Sequence, residues 1–133
     1  MVSSSPDGVL KLVVITGDII FEQQEQLDLY VLVKTPQQRG QTKTLAGKSK
    51  KNPPKWNQAF EMVVNKNVST LTLTMFDEDV DEDHVFGEAV IQISDLQVEE
   101  ALDQSVDLFK DGECTAKLRF RSLWKPKEPP VTV

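Results

Sequence analysis

The sequence has few of the residues on which many enzymes and metal sites depend. Its 133 residues include one cysteine, Cys114, and one histidine, His84. One cysteine excludes a disulfide within the chain and fits a reducing compartment. Neither residue has a second Cys or His as a partner, so neither a zinc site nor a nucleophile–histidine pair is supported. No glycine-rich phosphate loop is present, and we expect no enzyme activity.

Long apolar runs are also missing. No stretch approaches the roughly 20 apolar residues of a membrane-spanning helix, and the first residues lack the charged-then-apolar pattern of a secretory signal. With 39% apolar and 27% charged residues, the composition is that of a soluble globular protein. The length predicts one domain. We expect a cytoplasmic monomer, or one such domain of a longer protein.

Acidic residues are absent from a long window, although the net charge is −6. A pI near 4.8 argues against nucleic-acid binding. No Asp or Glu occurs between positions 29 and 60, and this window holds seven of the fifteen basic residues. They are Lys34, Arg39, Lys43, Lys48, Lys50, Lys51 and Lys55. Such separation gives a molecule one anion-seeking and one cation-seeking face.

Short apolar runs with a period of two indicate β-strands. Leu71, Leu73 and Met75 alternate with threonines, and Leu118 and Phe120 alternate with basic residues. Turn signals such as Asn-Pro-Pro and Asp-Gly separate about eight runs of this kind. The pattern predicts an all-β fold, an eight-stranded antiparallel β-sandwich.

The predicted sandwich occupies residues 8–124. We expect residues 1–7 to form a flexible amino terminus and the proline-rich residues 125–133 to form an extended tail. Only residues 95–102 have the composition of a turn or two of helix. We expect Trp56 and Tyr30 to be structural aromatic residues packed against the sandwich.

An unusual run lies between two of the predicted strands. From Asp77 to Asp83, six of seven side chains are acidic, and Val80 is the exception. Like charges this close disfavour one another's ionisation. The run is therefore either a solvated acidic loop or a place where a cation binds.

An EF-hand explains the run poorly. Asp77, Asp79, Asp81 and Glu88 match positions 1, 3, 5 and 12 of that calcium loop. Position 6 should be glycine and is Glu82, and the flanking segments alternate with period two instead of forming helices. A calcium site shared between loops of a sandwich fits better, because residues 18–28 form a second acidic connection.

Four motifs in order give the chain a resemblance to a known family. They are GVLKLVVITGD at the start, LDLYV at 27–31, NPPKWNQAF at 52–60, and LTLTMFDED followed by VFGEAVI. Together they resemble the C2 domain, the calcium- and phospholipid-binding β-sandwich of protein kinase C, synaptotagmin and cytosolic phospholipase A2. The added strand TAKLRFRSL near the carboxyl end suggests the type II topology of that family.

The resemblance implies a calcium site between two loops. Asp28 matches the family's loop 1 aspartate, and Asp77 and Asp79 match its loop 3 Asp-x-Asp pair. Glu22 stands where the family has another loop 1 aspartate. His84 stands at the position of the late loop 3 aspartate, so Asp83 is the expected substitute there.

The resemblance also implies contacts with anionic phospholipid, with phosphoinositide among the lipids considered. Basic side chains of neighbouring strands would supply them, and the expected residues are Lys34, Lys43, Lys48, Lys50 and Lys51. Ile20 and Phe21 either insert among lipid headgroups or simply close the first strand over the core.

Two hypotheses for the function follow. The first is a calcium-dependent membrane-targeting module, recruited peripherally to anionic membranes. The second is a C2-like domain that binds a protein partner without calcium. The departures at Glu22 and His84 keep the second open.

Overall fold

The structure is a computed structural model and describes residues 7–21 and 26–127. The described residues form β-strands and one short 3-10 helix, Ile93–Leu96. In chain order the strands are β1 (Gly8–Ile19), β2 (Leu27–Lys34), β3 (Arg39–Gln41), β4 (Leu45–Lys48), β5 (Lys55–Val64), β6 (Thr70–Asp77), β7 (His84–Gln92), β8 (Leu102–Lys110) and β9 (Glu113–Pro126). The all-β prediction is confirmed.

The strands follow the order β3-β2-β6-β7-β8-β9-β1-β5, with antiparallel pairing throughout. The path folds over between β7 and β8, where Glu88 and Phe109 are the one residue pair in register. This divides the strands into the two layers of a β-sandwich. The last strand pairs with both β1 and β8, and it is the carboxyl-terminal strand on which the type II prediction depends.

The core lies between the layers and is built by the alternation seen in the sequence. Leu71, Leu73 and Met75 are at most 1% exposed on β6, and Leu118 and Phe120 are equally buried on β9. Burying such side chains contributes about 1.5–3 kcal/mol each relative to leaving them exposed. The core thus fixes which face of each strand points outward.

The edge strand next to β2 is split, which accounts for a ninth strand where eight were predicted. Both β3 and β4 pair with the same side of β2. Between them, the Val31 N–H donates to the Thr42 hydroxyl at 2.8 Å, and the Thr42 N–H donates to the Val31 carbonyl at 2.9 Å. A side-chain oxygen therefore replaces a carbonyl in the ladder, and the edge is one strand position in two pieces.

Two local predictions can be compared with the structure. The Asp111-Gly112 turn joins β8 to β9, and both residues have positive φ, 51° and 82°. This is the geometry of a two-residue hairpin turn, which glycine and aspartate tolerate. Of residues 95–102, predicted as a turn or two of helix, only the first two are helical, as the end of the 3-10 turn Ile93–Leu96, whose Ile93 and Leu96 close one end of the core.

A close contact ties β7 to the other layer. The Thr115 hydroxyl donates to the Phe86 carbonyl at 2.7 Å. Gly87 allows this approach, because a Cβ there would meet the Thr115 hydroxyl and would lie 2.8 Å from Leu108 Cβ. The close contact between β7 and β9 thus depends on the missing Cβ of Gly87.

Candidate functional site

Three connections meet at one end of the sandwich, which we call the tip. They are loop 1 (residues 20–26), loop 2 (residues 49–54) and loop 3 (residues 78–83). Strand register brings them together, because Leu27 pairs with Lys48 beside loop 2 and Leu29 pairs with Asp77 beside loop 3. Residues 22–25 of loop 1, which include the predicted ligand Glu22, lie outside the described residues.

Asp28 joins the start of β2 to loop 3. Its N–H donates to Asp77 Oδ1 at 3.0 Å, and its carbonyl accepts from the Glu78 N–H at 2.7 Å. Its own carboxylate Oδ1 accepts from the Gly47 N–H at 3.0 Å. Two of the predicted ligands, Asp28 and Asp77, are therefore neighbours, and one of them also bonds to β4.

Asp77 is the most perturbed carboxyl group of the tip. Its burial raises its pKa above the usual value. The Asp28 N–H opposes this rise, the Asp28 and Asp79 carboxylates add to it, and His84 opposes it. The predicted residues Asp28, Asp77 and Asp79 thus act on one another, as groups that share a small space do.

Asp83 faces a different part of the molecule. Its Oδ2 accepts a 2.6 Å hydrogen bond from the Tyr30 hydroxyl. Tyr30 is only 6% exposed, and its ring stacks on Phe76 with centroids 5.1 Å apart. Burial and then Asp83 raise the pKa of Tyr30 to about 12. Asp83 is therefore held on the outer face of β2 and β6.

Asp79 lies on the exposed side of loop 3. Its Oδ1 accepts from the Val80 N–H at 2.7 Å, and its Oδ2 lies 3.9 Å from His84 Nε2. In the described part of the chain, no three His, Cys, Asp or Glu side chains already form a group that could hold a metal ion. Asp28, Asp77 and Asp79 offer carboxylate oxygens, the ligand type that calcium prefers, so their chemistry fits that cation.

Glu78 of loop 3 is hydrogen-bonded to the segment between β3 and β4. The Thr44 hydroxyl donates to Glu78 Oε2 at 2.6 Å, while Gly47 of β4 binds Asp28. The Trp56 indole N–H donates to the Lys43 carbonyl at 3.0 Å, a bond in keeping with the structural role expected for that tryptophan. The acidic tip is thus hydrogen-bonded to the lysine-bearing edge.

The predicted basic residues fall into three places, of which the segment between β3 and β4 holds Lys43. Lys48 ends β4 at the tip, and Lys50 and Lys51 lie in loop 2 beside it. Lys34 ends β2 beside Arg39, about 23 Å along the strand from Leu27 at roughly 3.3 Å per residue. Lys34 therefore cannot share one headgroup with loop 2.

The tip also exposes apolar side chains from two loops. Ile20 and Phe21 of loop 1 are 38% and 44% exposed, and Val80 of loop 3 is 98% exposed. The Ile20 and Phe21 N–H groups both donate to the Thr115 carbonyl, at 2.9 and 3.1 Å. These two side chains project from a fixed backbone. The structure adds Val80, whose one signal in the sequence is an apolar residue within an acidic run.

A cavity of about 520 Å³ opens between loop 1, the start of β7 and the β8–β9 turn. Its walls combine apolar side chains, such as Phe21 and Phe86, with charged ones. Asp77 and His84 are among the residues that line it. Polar and apolar groups thus meet beside the candidate cation ligands.

Comparisons with known proteins agree with this architecture. The family model described as "C2 domain" matches residues 8–108. Extended synaptotagmin-2-A of Xenopus laevis is 31% identical over 98 residues, which are 73% of this chain and 11% of that protein. The chain thus spans about a tenth of the length of that relative. In the described residues, no helix is long and apolar enough to cross a membrane.

Two solved structures share the fold. A C2 domain-containing protein from a putative elicitor-responsive gene is 26% identical, with a TM-score of 0.83 over 99% of this chain and 98% of that one. A calcium-bound structure of two C2 domains of extended synaptotagmin 2 is 25% identical, with a TM-score of 0.76 over 91% of this chain and 46% of that one. The chain is a member of the C2 domain family.

Proposed function

We propose that this chain is a calcium-dependent module that binds anionic phospholipid membranes through its tip. One observation carries the proposal: Asp77 is a part-buried carboxyl group whose neighbours include Asp28 from β2 and Asp79 from loop 3. Gathering acids around a desolvated carboxyl group is unfavourable by itself. A calcium-bound structure of a related C2 protein supports reading this arrangement as a cation site.

Asp28, Asp77 and Asp79 would hold the cation, with Glu22 and Asp83 as further candidates. Calcium supplies positive charge and coordinates oxygens, including those of phosphate. The protein's part is to keep the carboxylates together: the Asp28 N–H fixes Asp77 Oδ1, and the Glu78 N–H fixes the backbone between them. The net negative charge of the free tip keeps it away from anionic lipid.

Neighbouring side chains supply the rest of the membrane contact. Ile20, Phe21 and Val80 carry apolar area on the same end as the acids. Lys48 and the loop 2 lysines lie beside them and would meet lipid phosphates, each contributing about 1 kcal/mol near an anionic surface. Lys34 and Lys43 would contact lipid only along the side of the sandwich, where a phosphoinositide headgroup is one candidate ligand.

One observation favours the second candidate, a domain that binds a protein partner without calcium. Three acids of the tip already accept hydrogen bonds from the protein, with Asp28 bonded to Gly47, Asp83 to Tyr30 and Glu78 to Thr44. These bonds tie loop 3 and the start of β2 to neighbouring segments without a cation. A surface that is ordered without a cation is suited to docking a basic protein.

Calorimetric titration with calcium chloride separates the two candidates. We expect saturable binding by the wild type and its loss in the Asp77→Asn, Asp79→Asn double variant. A matched control carries Asp95→Asn and Glu99→Gln, which remove the same charge at exposed positions outside the tip. No binding by the wild type up to millimolar calcium, with or without anionic vesicles, would leave the protein-binding candidate.

A further inference from the structure

We propose that Tyr30 is a positioning residue that holds Asp83 on the outer face of the sheet and so weakens calcium binding at the tip. The inference rests on the proposed function, because it concerns the ligand set of the same site. It assigns a role to a hydroxyl group that sequence reasoning treated as structural.

The location of Tyr30 fixes its side chain. Its neighbours Leu29 and Val31 point into the core and are fully buried, so Tyr30 points to the outer face of β2. A residue on that face is normally exposed, yet Tyr30 is 6% exposed. Phe76, its register partner on β6, covers it with a ring inclined by 14°. The stack leaves the hydroxyl little freedom to move.

The hydroxyl forms a strong contact with loop 3. It donates to Asp83 Oδ2 at 2.6 Å, a length typical of an O–H bond to a carboxylate. Such charge-assisted bonds are about twice as strong as neutral ones. Breaking this bond is therefore a cost that any other ligand of that oxygen must overcome.

Asp83 is not among the charged groups that act on Asp77. The charged groups that shift the pKa of Asp77 are Asp28, Asp79 and His84, whereas Asp83 and Glu78 act on Tyr30. Loop 3 thus directs its acids to two sides of the tip. The Tyr30 hydroxyl thus occupies Asp83 Oδ2, and a cation that takes this oxygen has to displace the hydroxyl.

The variant Tyr30→Phe isolates this effect. It removes the hydroxyl and keeps the ring that stacks on Phe76. Asp83 then loses its hydrogen-bond donor and is available as an additional carboxylate ligand. From the strength of a hydrogen bond to a charged group, we expect about tenfold tighter calcium binding.

The test is calorimetric titration of the full chain with calcium chloride, in the wild type, Tyr30→Phe, Asp83→Asn and the double variant. Tyr30→Phe is expected to bind calcium more tightly than the wild type. In the Asp83→Asn background the same change should have no effect, because the hydroxyl acts through Asp83. Thermal melting in chelator checks that each variant is folded.

Thr74→Val is the matched control. It removes a hydroxyl–carboxylate bond that lies outside the tip, that to Glu88 Oε2 at 2.8 Å, and should leave calcium affinity unchanged. Equal calcium binding by Tyr30→Phe overturns the inference, since the hydroxyl would then have no effect on the site. Weaker binding also overturns it, since the hydroxyl would then present Asp83 to the cation. An equal gain with and without Asp83→Asn also overturns it.

The outcomes distinguish this inference from the proposed function. If the wild type binds calcium through Asp77 and Asp79 but Tyr30→Phe changes nothing, only the role of Tyr30 is wrong. If neither the wild type nor Tyr30→Phe binds calcium, both are wrong.

Discussion

Replacing Gly87 by alanine should weaken the contact between β7 and β9 and lower the stability of the protein. The new Cβ would meet the Thr115 hydroxyl and would lie 2.8 Å from Leu108 Cβ. Overpacking a close contact costs about 1–3 kcal/mol. Displacing Thr115 also weakens its hydrogen bond to the Phe86 carbonyl, worth about 1 kcal/mol. We expect the free energy of unfolding to fall by about 2–4 kcal/mol in total.

Urea unfolding monitored by the fluorescence of the two tryptophans measures this loss. Natural domains have about 5–15 kcal/mol of stability, so the variant should still fold. Thr115→Ala serves as the second arm, because it removes the hydroxyl that the new methyl group meets. Gly87→Ala should then cost less in that background, with a coupling of about 0.5–3 kcal/mol. A loss below about 0.5 kcal/mol for Gly87→Ala alone, the size of an ordinary surface substitution, would refute the reasoning.

Three other predictions concern charge and buried polarity. Asp77→Asn keeps an acceptor for the Asp28 N–H and removes a carboxylate whose pKa is raised by burial. In chelator, the urea midpoint of the variant should therefore be slightly higher than that of the wild type, and a lower midpoint would contradict this. The Ser122 hydroxyl is buried with no hydrogen-bond partner within residues 7–21 and 26–127, so Ser122→Ala should leave stability unchanged or raise it by up to about 1 kcal/mol in the same assay. Arg119, and Arg121 beside it, hold the pKa of Asp103 down at about 2. The wild type should therefore be more stable than Asp103→Asn above pH 3.8, and this difference should vanish as the pH falls toward 2. A difference that does not change with pH would show that the ion pairs contribute nothing.

Most of the fold could be predicted because strand alternation and turn chemistry are local signals. Buried residues on β6 and β9 follow the period of two. The Asp111-Gly112 turn could be read from two residues, since few others accept positive φ in succession. The 3-10 turn begins before the predicted segment, at Ile93, because its position depends on burying Ile93 and Leu96 in the core, which composition does not report.

The split edge strand could not be predicted from propensity. It depends on Thr42, whose hydroxyl enters the ladder of β2, and many threonines in strands simply face outward. Whether a threonine replaces a carbonyl is decided by the neighbouring strand, which sequence periodicity does not report.

The candidate site was predictable in position but only partly in orientation. The resemblance to the C2 family implied that Asp28, Asp77 and Asp79 lie together at one end of the sandwich, and the structure brings them together. Asp83 was expected beside them, but its side chain bonds to Tyr30. A hydrogen bond across 53 residues of sequence depends on how the sheet stacks Tyr30 on Phe76, and no local pattern indicates it. Glu22 stays a prediction, since it lies outside the described residues.

Sedimentation with phosphatidylserine-containing vesicles, in calcium and in chelator, tests the central claim most directly. The wild type should sediment with vesicles in calcium and stay in solution in chelator. Asp77→Asn with Asp79→Asn should stay in solution in both, while the control with Asp95→Asn and Glu99→Gln should behave as the wild type. Equal sedimentation of the wild type with and without calcium, or none under either condition, would contradict the account.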